Sequence, residues 1–226
     1  MSSVLVAHGT RKQSGVAMVG ELAQRVSTTL GQTVHVSFVD VLGPTPSEVL
    51  SAMPEPAIMV PAFLSRGYHV TSDIPAHVEA SGHPDVTVTE ALGPGPQLVR
   101  VLADRLIESG WRRDDSVILA AAGTSDPNAQ RDLHTMATGL SALTSSRVEL
   151  AFAATGTPRV ADAVESLRHR GARRVVVASY LLSEGLFQDR LRASGADVVT
   201  EPLGTHPGLV RLIANRFRRA RVSVAA

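Results

Sequence analysis

Cysteine is missing from all 226 residues. Its absence excludes disulfides, thiolate metal sites and thiol nucleophiles, so any metal must be held by nitrogen and oxygen. It also fits a reducing compartment. Aromatic residues make up only 4% of the chain, so Val, Leu, Ile and Ala must fill the core. No apolar run approaches the ~20 residues that a membrane span needs. The opening Met1-Ser2-Ser3 has neither the basic stretch nor the apolar segment of a signal peptide. A cytoplasmic protein with no membrane partner is expected. Charge of one sign is not in excess: 22 Lys and Arg face 21 Asp and Glu, which gives no broad reason to expect nucleic acid. Nucleotide loops of the GxGxxG or GK[ST] type are absent, as are a GxSxG serine and paired carboxylates of the glycosidase kind.

What the chain does contain is itself, twice. His8-Gly9-Thr10 aligns with Ala122-Gly123-Thr124, and Phe38 with Phe152, at an offset of 114. "FLSRG" (63–67) matches "LLSEG" (181–185) at an offset of 118, and "VTEALGPGPQLVRVLADRL" (88–106) matches "VTEPLGTHPGLVRLIANRF" (199–217) at an offset of 111. Constant order with slowly drifting offsets is the signature of a duplicated unit carrying small loop insertions. Two lobes are expected, residues 1–112 and 115–226, joined near "ESGWRRDDS".

Within each unit strand and helix patterns alternate. Strands are predicted at 3–7, 34–40, 57–61 and 86–90, and again at 116–121, 148–154, 174–180 and 197–201. Val16, Val19, Leu22, Val26 and Leu30 step by three or four along one helix face, as do Ala129, Leu133, Met136, Leu140 and Leu143. Leu98, Val101, Leu102 and Leu106 mark a further helix with Pro96 at its start. Apolar strands alternating with helices predict an α/β fold, a four-stranded parallel sheet flanked by helices in each lobe.

In an open parallel sheet ligands bind beyond the carboxyl ends of the strands. His8 follows the first predicted strand, Asp40 ends the second, and His69 lies in the loop after the third. Imidazole and carboxylate suit divalent iron, cobalt, nickel or zinc. The repeat weighs these three from within the chain. His8 corresponds to Ala122, Asp40 to Ala154 and, aligned on the shared glycine, His69 to Phe187. Groups that served only as caps would be expected to survive in at least one case, whereas joint loss suits a single functional site kept in one lobe. Aspartate at a strand end also often caps the next turn, a second reading for Asp40. His35, His77, His83, His134, His169 and His206 are read as exposed, looped or solvated. "GTRKQSG" (9–15) has two readings: an anion loop at a helix start, or a turn whose Thr10 or Ser14 caps the helix.

"LVAHGTR", the strand end "SFVD" and "AFLSRGYHVTSDIP" together resemble the class II chelatases, which insert iron or cobalt into sirohydrochlorin. The HG[ST]R motif, followed about 60 residues on by G-x-H-x-x-x-D-I-P inside a duplicated α/β chain, carries the likeness. The second half resembles the degenerate repeat of the long, two-lobed forms. The resemblance implies a sirohydrochlorin chelatase with a tetrapyrrole held between two chelatase-like lobes. Fe²⁺ (for sirohaem) or Co²⁺ (for cobalamin) would be its metal substrate, with no permanently bound cofactor. His8 and His69 would bind the metal and accept the pyrrole protons. Asp40 stands where many members have glutamate, and its shorter side chain would ligate directly or through water. The substrate's carboxylates would favour Arg11, Lys12, Arg66 and groups around Gly9, Thr10, Ser65, Gly67, Gly123, Thr124 and Ser125. A monomer is expected, since a duplicated chain can form its cleft internally. A non-catalytic tetrapyrrole or metal carrier on the same scaffold is the alternative.

Overall fold

The computed structural model describes residues 1–224. The chain opens with β1 (Ser2–Ala7), whose Val4–Ala7 are buried on both faces. There follow α1 (Gln13–Leu30), β2 (Val34–Phe38), α2 (Pro46–Ser51) and β3 (Ala57–Pro61). A π-helical turn, His69–Asp73, runs directly into α3 (Ile74–Ser81), and β4 (Val86–Val88) comes next. After α4 (Pro96–Glu108) the series repeats: β5 (Ser116–Gly123), α5 (Pro127–Thr144), β6 (Val148–Thr155), α6 (Val160–His169), β7 (Val175–Tyr180), α7 (Leu186–Arg192), β8 (Val198–Val199) and α8 (Pro207–Val224).

The strands form two four-stranded sheets of identical order, β2-β1-β3-β4 and β6-β5-β7-β8, parallel throughout. Parallel strands need crossovers, and the helices that supply them cover the sheet faces. Val4, Val6, Leu50, Ala57, Met59 and Ile74 build one core. Ile118, Ala120, Val164, Leu167, Val175 and Val177 belong to its counterpart. The central strands follow the expected apolar runs closely. The edge strands β2, β4 and β8 are shorter than predicted.

The backbone repeats the sequence offsets bond for bond. Phe38 N–H donates to the Pro44 carbonyl, and Phe152 to Pro158. Thr89 donates to Met59 and Thr200 to Val177; Leu92 donates to Phe63 and Leu203 to Leu181. One reading shifts in detail. Leu143, placed on the inner face of α5 by its spacing, is 51% exposed, and the buried stripe continues to Thr144 instead.

Sequence repeats and compact units do not coincide. One unit comprises residues 1–93 together with the segment from Thr205 onward; the other comprises residues 94–204. The repeats at 1–112 and 115–226 therefore exchange their last helices. Helix α4, made by the first repeat, packs on α5 and β7. Helix α8, made by the second, packs on α1 and β3. Equivalent arginines secure both: Arg105 donates to the Leu203 carbonyl at 3.1 Å, and Arg216 to the Ala91 carbonyl at 3.0 Å. Hydrophobic spacing marks the buried face of a helix but does not say which sheet it meets.

Candidate active site

Register brings the first unit's strand ends together. Ala7 pairs with Phe38 across β1 and β2, and Val6 pairs with Pro61 across β1 and β3. The residues that follow, His8, Asp40 and the loop 62–68, therefore leave the sheet along one edge. Gly9 holds that edge close. A Cβ there would lie 2.0 Å from the Asp40 carbonyl oxygen, so only glycine fits. Gly123, its copy, meets the Thr155 carbonyl in the same way. Thr10 accepts a hydrogen bond from Lys12 N–H at 3.2 Å, and Thr124 accepts one from Asp126 at 3.1 Å. The retained Gly-Thr pair thus builds the strand-to-helix turn in both repeats.

His8 and His69 are in contact, their ring centroids 4.8 Å apart and their planes at 80°. Each ring is oriented through Nδ1. His8 Nδ1 lies 2.7 Å from the Gly9 carbonyl oxygen, to which it donates. His69 Nδ1 lies 2.5 Å from Asp73 Oδ2. A proton on Nδ1 leaves the lone pair on Nε2, so both histidines present a basic nitrogen. The π-helical turn makes the second of these contacts. Ile74 N–H reaches back five residues to the His69 carbonyl, and this wide turn sets Asp73 against the imidazole. Buried Ile74 anchors it. Phe63 and Tyr68 flank the His69 ring at 5.7 and 6.1 Å.

Asp73 was not among the predicted site residues, although the i, i+4 spacing inside "HVTSD" was the available signal. Its counterpart in the second repeat is Leu191, fully buried, so histidine and carboxylate partner disappear together.

Asp40 is exposed, and its Oδ1 accepts from Val41 N–H at 2.6 Å. Leu42 N–H donates to the Asp40 carbonyl at 2.8 Å around Val41, whose φ is 71°. That is the rarer, strained form of γ-turn, held here by a β-branched residue. The carboxylate thus caps its own turn. Among the described residues no three His, Cys, Asp or Glu side chains form a group that could hold a metal. Arg11, Arg66 and Ser125 are exposed, and Ser65 and Gly67 half-buried. The Gly67 carbonyl receives Val70 and Thr71 N–H, closing the loop into the π-helical turn.

Three other histidines have structural partners among the described residues, His77 through Ser47 Oγ at 3.3 Å. His83 is fixed by the Glu55 carbonyl and by Asp85 N–H. His206, read as a loop residue, is buried and accepts from Gly208 N–H at the start of α8. No helix of the described residues is long and apolar enough to cross a membrane.

The chain is similar to several known proteins. A sirohydrochlorin ferrochelatase of Priestia megaterium is 25% identical over 96% of this chain and 90% of its own length. A sirohydrochlorin cobaltochelatase of the same organism is 26% identical over 84% of this chain and 67% of its own. The solved structure of SirB from Bacillus subtilis with Fe³⁺ superposes with a TM-score of 0.85, covering 100% of this chain and 98% of that one at 19% identity, a likeness of fold. The CbiX family profile matches residues 2–109 and again 116–220, one match to each repeat, and the chain belongs to the CbiX family.

Proposed function

We propose that this protein is a sirohydrochlorin chelatase that inserts Fe²⁺ or Co²⁺ into the metal-free macrocycle. The observation that carries the reading is the His8–His69 pair, two touching imidazoles with Nδ1 engaged and Nε2 available. Metallation requires three things: a divalent ion partly stripped of water, acceptance of two pyrrole N–H protons, and alignment of metal and ring. Neutral imidazole serves the first, since nitrogen donors bind iron and cobalt and two ligands leave positions open. The same nitrogens serve the second once the metal has passed to the macrocycle. Asp73 supports both by holding the His69 tautomer and stabilising the imidazolium that proton acceptance creates. Asp40 raises the local negative charge that draws a cation. Arg11, Arg66 and the turn N–H groups of Gly9, Thr10, Ser65 and Gly67 favour the substrate's carboxylates, and Gly123, Thr124 and Ser125 do so in the second repeat. Relatives named for iron and for cobalt support the choice of metals.

The test is anaerobic mixing of protein with sirohydrochlorin and limiting Fe²⁺ or Co²⁺, followed by macrocycle absorption. Acceleration over the protein-free rate is expected, reduced about 100-fold by His8→Ala. Undiminished insertion by that variant would remove His8 from the mechanism. Tight binding of macrocycle without any acceleration would make the protein a carrier.

A further inference from the structure

Each compact unit contains the same helix pair, and the two copies differ on their outer face. Helix α4 packs on α5 in one unit, and α8 packs on α1 in the other. By the repeat offsets, Ile107 stands where the other unit has Arg218, and Gly139 where it has Arg25. Thr135 and Leu143 stand where it has Glu21 and Thr29. Polar bonds close the α1–α8 face. Arg218 donates to the Thr29 carbonyl at 2.9 Å, and Arg25 pairs with Glu21 at 2.6 Å. Val210 and Ala214 of α8 are buried. Neither bond can form on the α4–α5 face, where isoleucine and glycine replace the two arginines. Ile107 and Leu143 are 66% and 51% exposed. Val99 and Ala103, the counterparts of Val210 and Ala214, are only half-buried.

The opening is a groove rather than a scatter of apolar atoms. One part, about 680 Å³, is lined by Pro94, Val99, Gly139 and Leu143. A second, about 350 Å³, is lined by Ala103, Ile107, Trp111 and Leu143. Arg100 and Leu143 border both, so the two are continuous. A Cβ on Gly139 would lie 2.9 Å from Val99 Cγ2, so a side chain there would crowd the seam. A continuous apolar face of this kind marks an interaction surface.

Its charges select the occupant. Arg100 and Asp104 are both exposed and lie one turn apart, beside the row Val99, Ala103 and Ile107. Mixed signs give no field that draws a nucleic acid or an anionic membrane. The pattern does complement itself. The row runs large, small, large about Ala103. A second α4, antiparallel across a two-fold axis at Ala103, sets Val99 against the second copy's Ile107. The same axis brings Arg100 within reach of the second copy's Asp104. We propose that the α4–α5 face is a homodimer contact between two copies of this chain. A face about 20 Å along α4 and two helices wide falls at the small end of specific interfaces, so the dimer is reversible. None of these residues belongs to the histidine site, so dimerisation and metal insertion are separable.

Sedimentation velocity of the full chain from about 1 to 500 µM tests this. Emission of Trp111, the chain's single tryptophan, gives a local readout. A monomer–dimer equilibrium is expected, with the emission moving to shorter wavelength as the dimer forms. Ile107→Arg and Leu143→Glu, both at exposed positions, should each weaken it about tenfold or more. Arg100→Asp and Asp104→Arg should each weaken it too. Combined in one chain they should restore it, since the two-fold axis pairs these positions with each other. Val222→Glu, at a 71% exposed apolar position of α8, should change nothing. A wild-type chain that stays monomeric throughout overturns the dimer. A dimer untouched by Ile107→Arg and Leu143→Glu lies on another surface and overturns the contact. Loss without rescue in the doubly charge-reversed chain overturns the two-fold pairing.

Discussion

A histidine binds metal through whichever nitrogen carries no proton, so the partners of the other nitrogen decide what the ring can do. Here the two rings have unequal partners: a backbone carbonyl for His8 and a carboxylate for His69. The carboxylate fixes the His69 ring and its tautomer, with Nε2 free to meet a metal. Asp73→Ala is therefore expected to weaken Co²⁺ binding by about 10- to 100-fold. Asp73→Asn, whose amide oxygen can still accept from Nδ1, should fall between it and the wild type. A cobalt titration followed by absorption measures both, and unchanged affinity in Asp73→Ala would remove the residue's role. The histidines were legible in the sequence because one follows a strand directly, the other lies in the loop after a strand, and both vanish from the copy. Asp73 was less so, because its place depends on a π-helical turn, and helical spacing alone does not reveal where a turn widens. Gly9 and Thr10 posed the opposite problem. Their survival in both copies suited turn or ligand equally, and only the approach of the Asp40 carbonyl and the Lys12 hydrogen bond show the turn.

Helices are where the sequence and the structure part company. The inward stripe of α4, Leu98, Val101, Leu102 and Leu106, is buried as its spacing predicts. It is buried in the unit built by the other repeat, because the segment after β4 leads across rather than back. An isolated first repeat, residues 1–112, would thus carry one helix with no sheet to cover and one sheet with no α8 to cover it. Two such chains satisfy each other by exchanging α4, a symmetric swap that buries both apolar faces. Light scattering on the purified fragment is expected to show a dimer with no folded monomer at micromolar concentration. A stable monomer with native helix content would show that α4 can fold back onto its own repeat.

The whole molecule is a duplication in which fold was kept and donors were lost. Identical strand order, matched backbone bonds and equivalent docking arginines mark what both sheets require. The changes fall beyond the strand ends, at His8, Asp40, His69 and Asp73, while the glycine that packing requires is kept in both copies. On the proposed function one metal site per chain is expected, since Ala122, Ala154 and Phe187 offer no ligand. Isothermal titration with Co²⁺ should give a stoichiometry near one, abolished by His8→Ala with His69→Ala. Two equal sites would contradict the assignment. The repeat, the parallel sheets and the two histidines at one end of the first sheet could be read from sequence; the course of the chain between sheets could not, since offsets record similarity and not contact. That course also sets a timetable. Residues 94–204 complete the second unit as soon as they leave the ribosome, whereas the first sheet waits for a helix encoded more than a hundred residues later. At about 5–20 residues per second, the half that bears the histidines spends on the order of ten seconds with a sheet face uncovered. The half made second is the first to be finished.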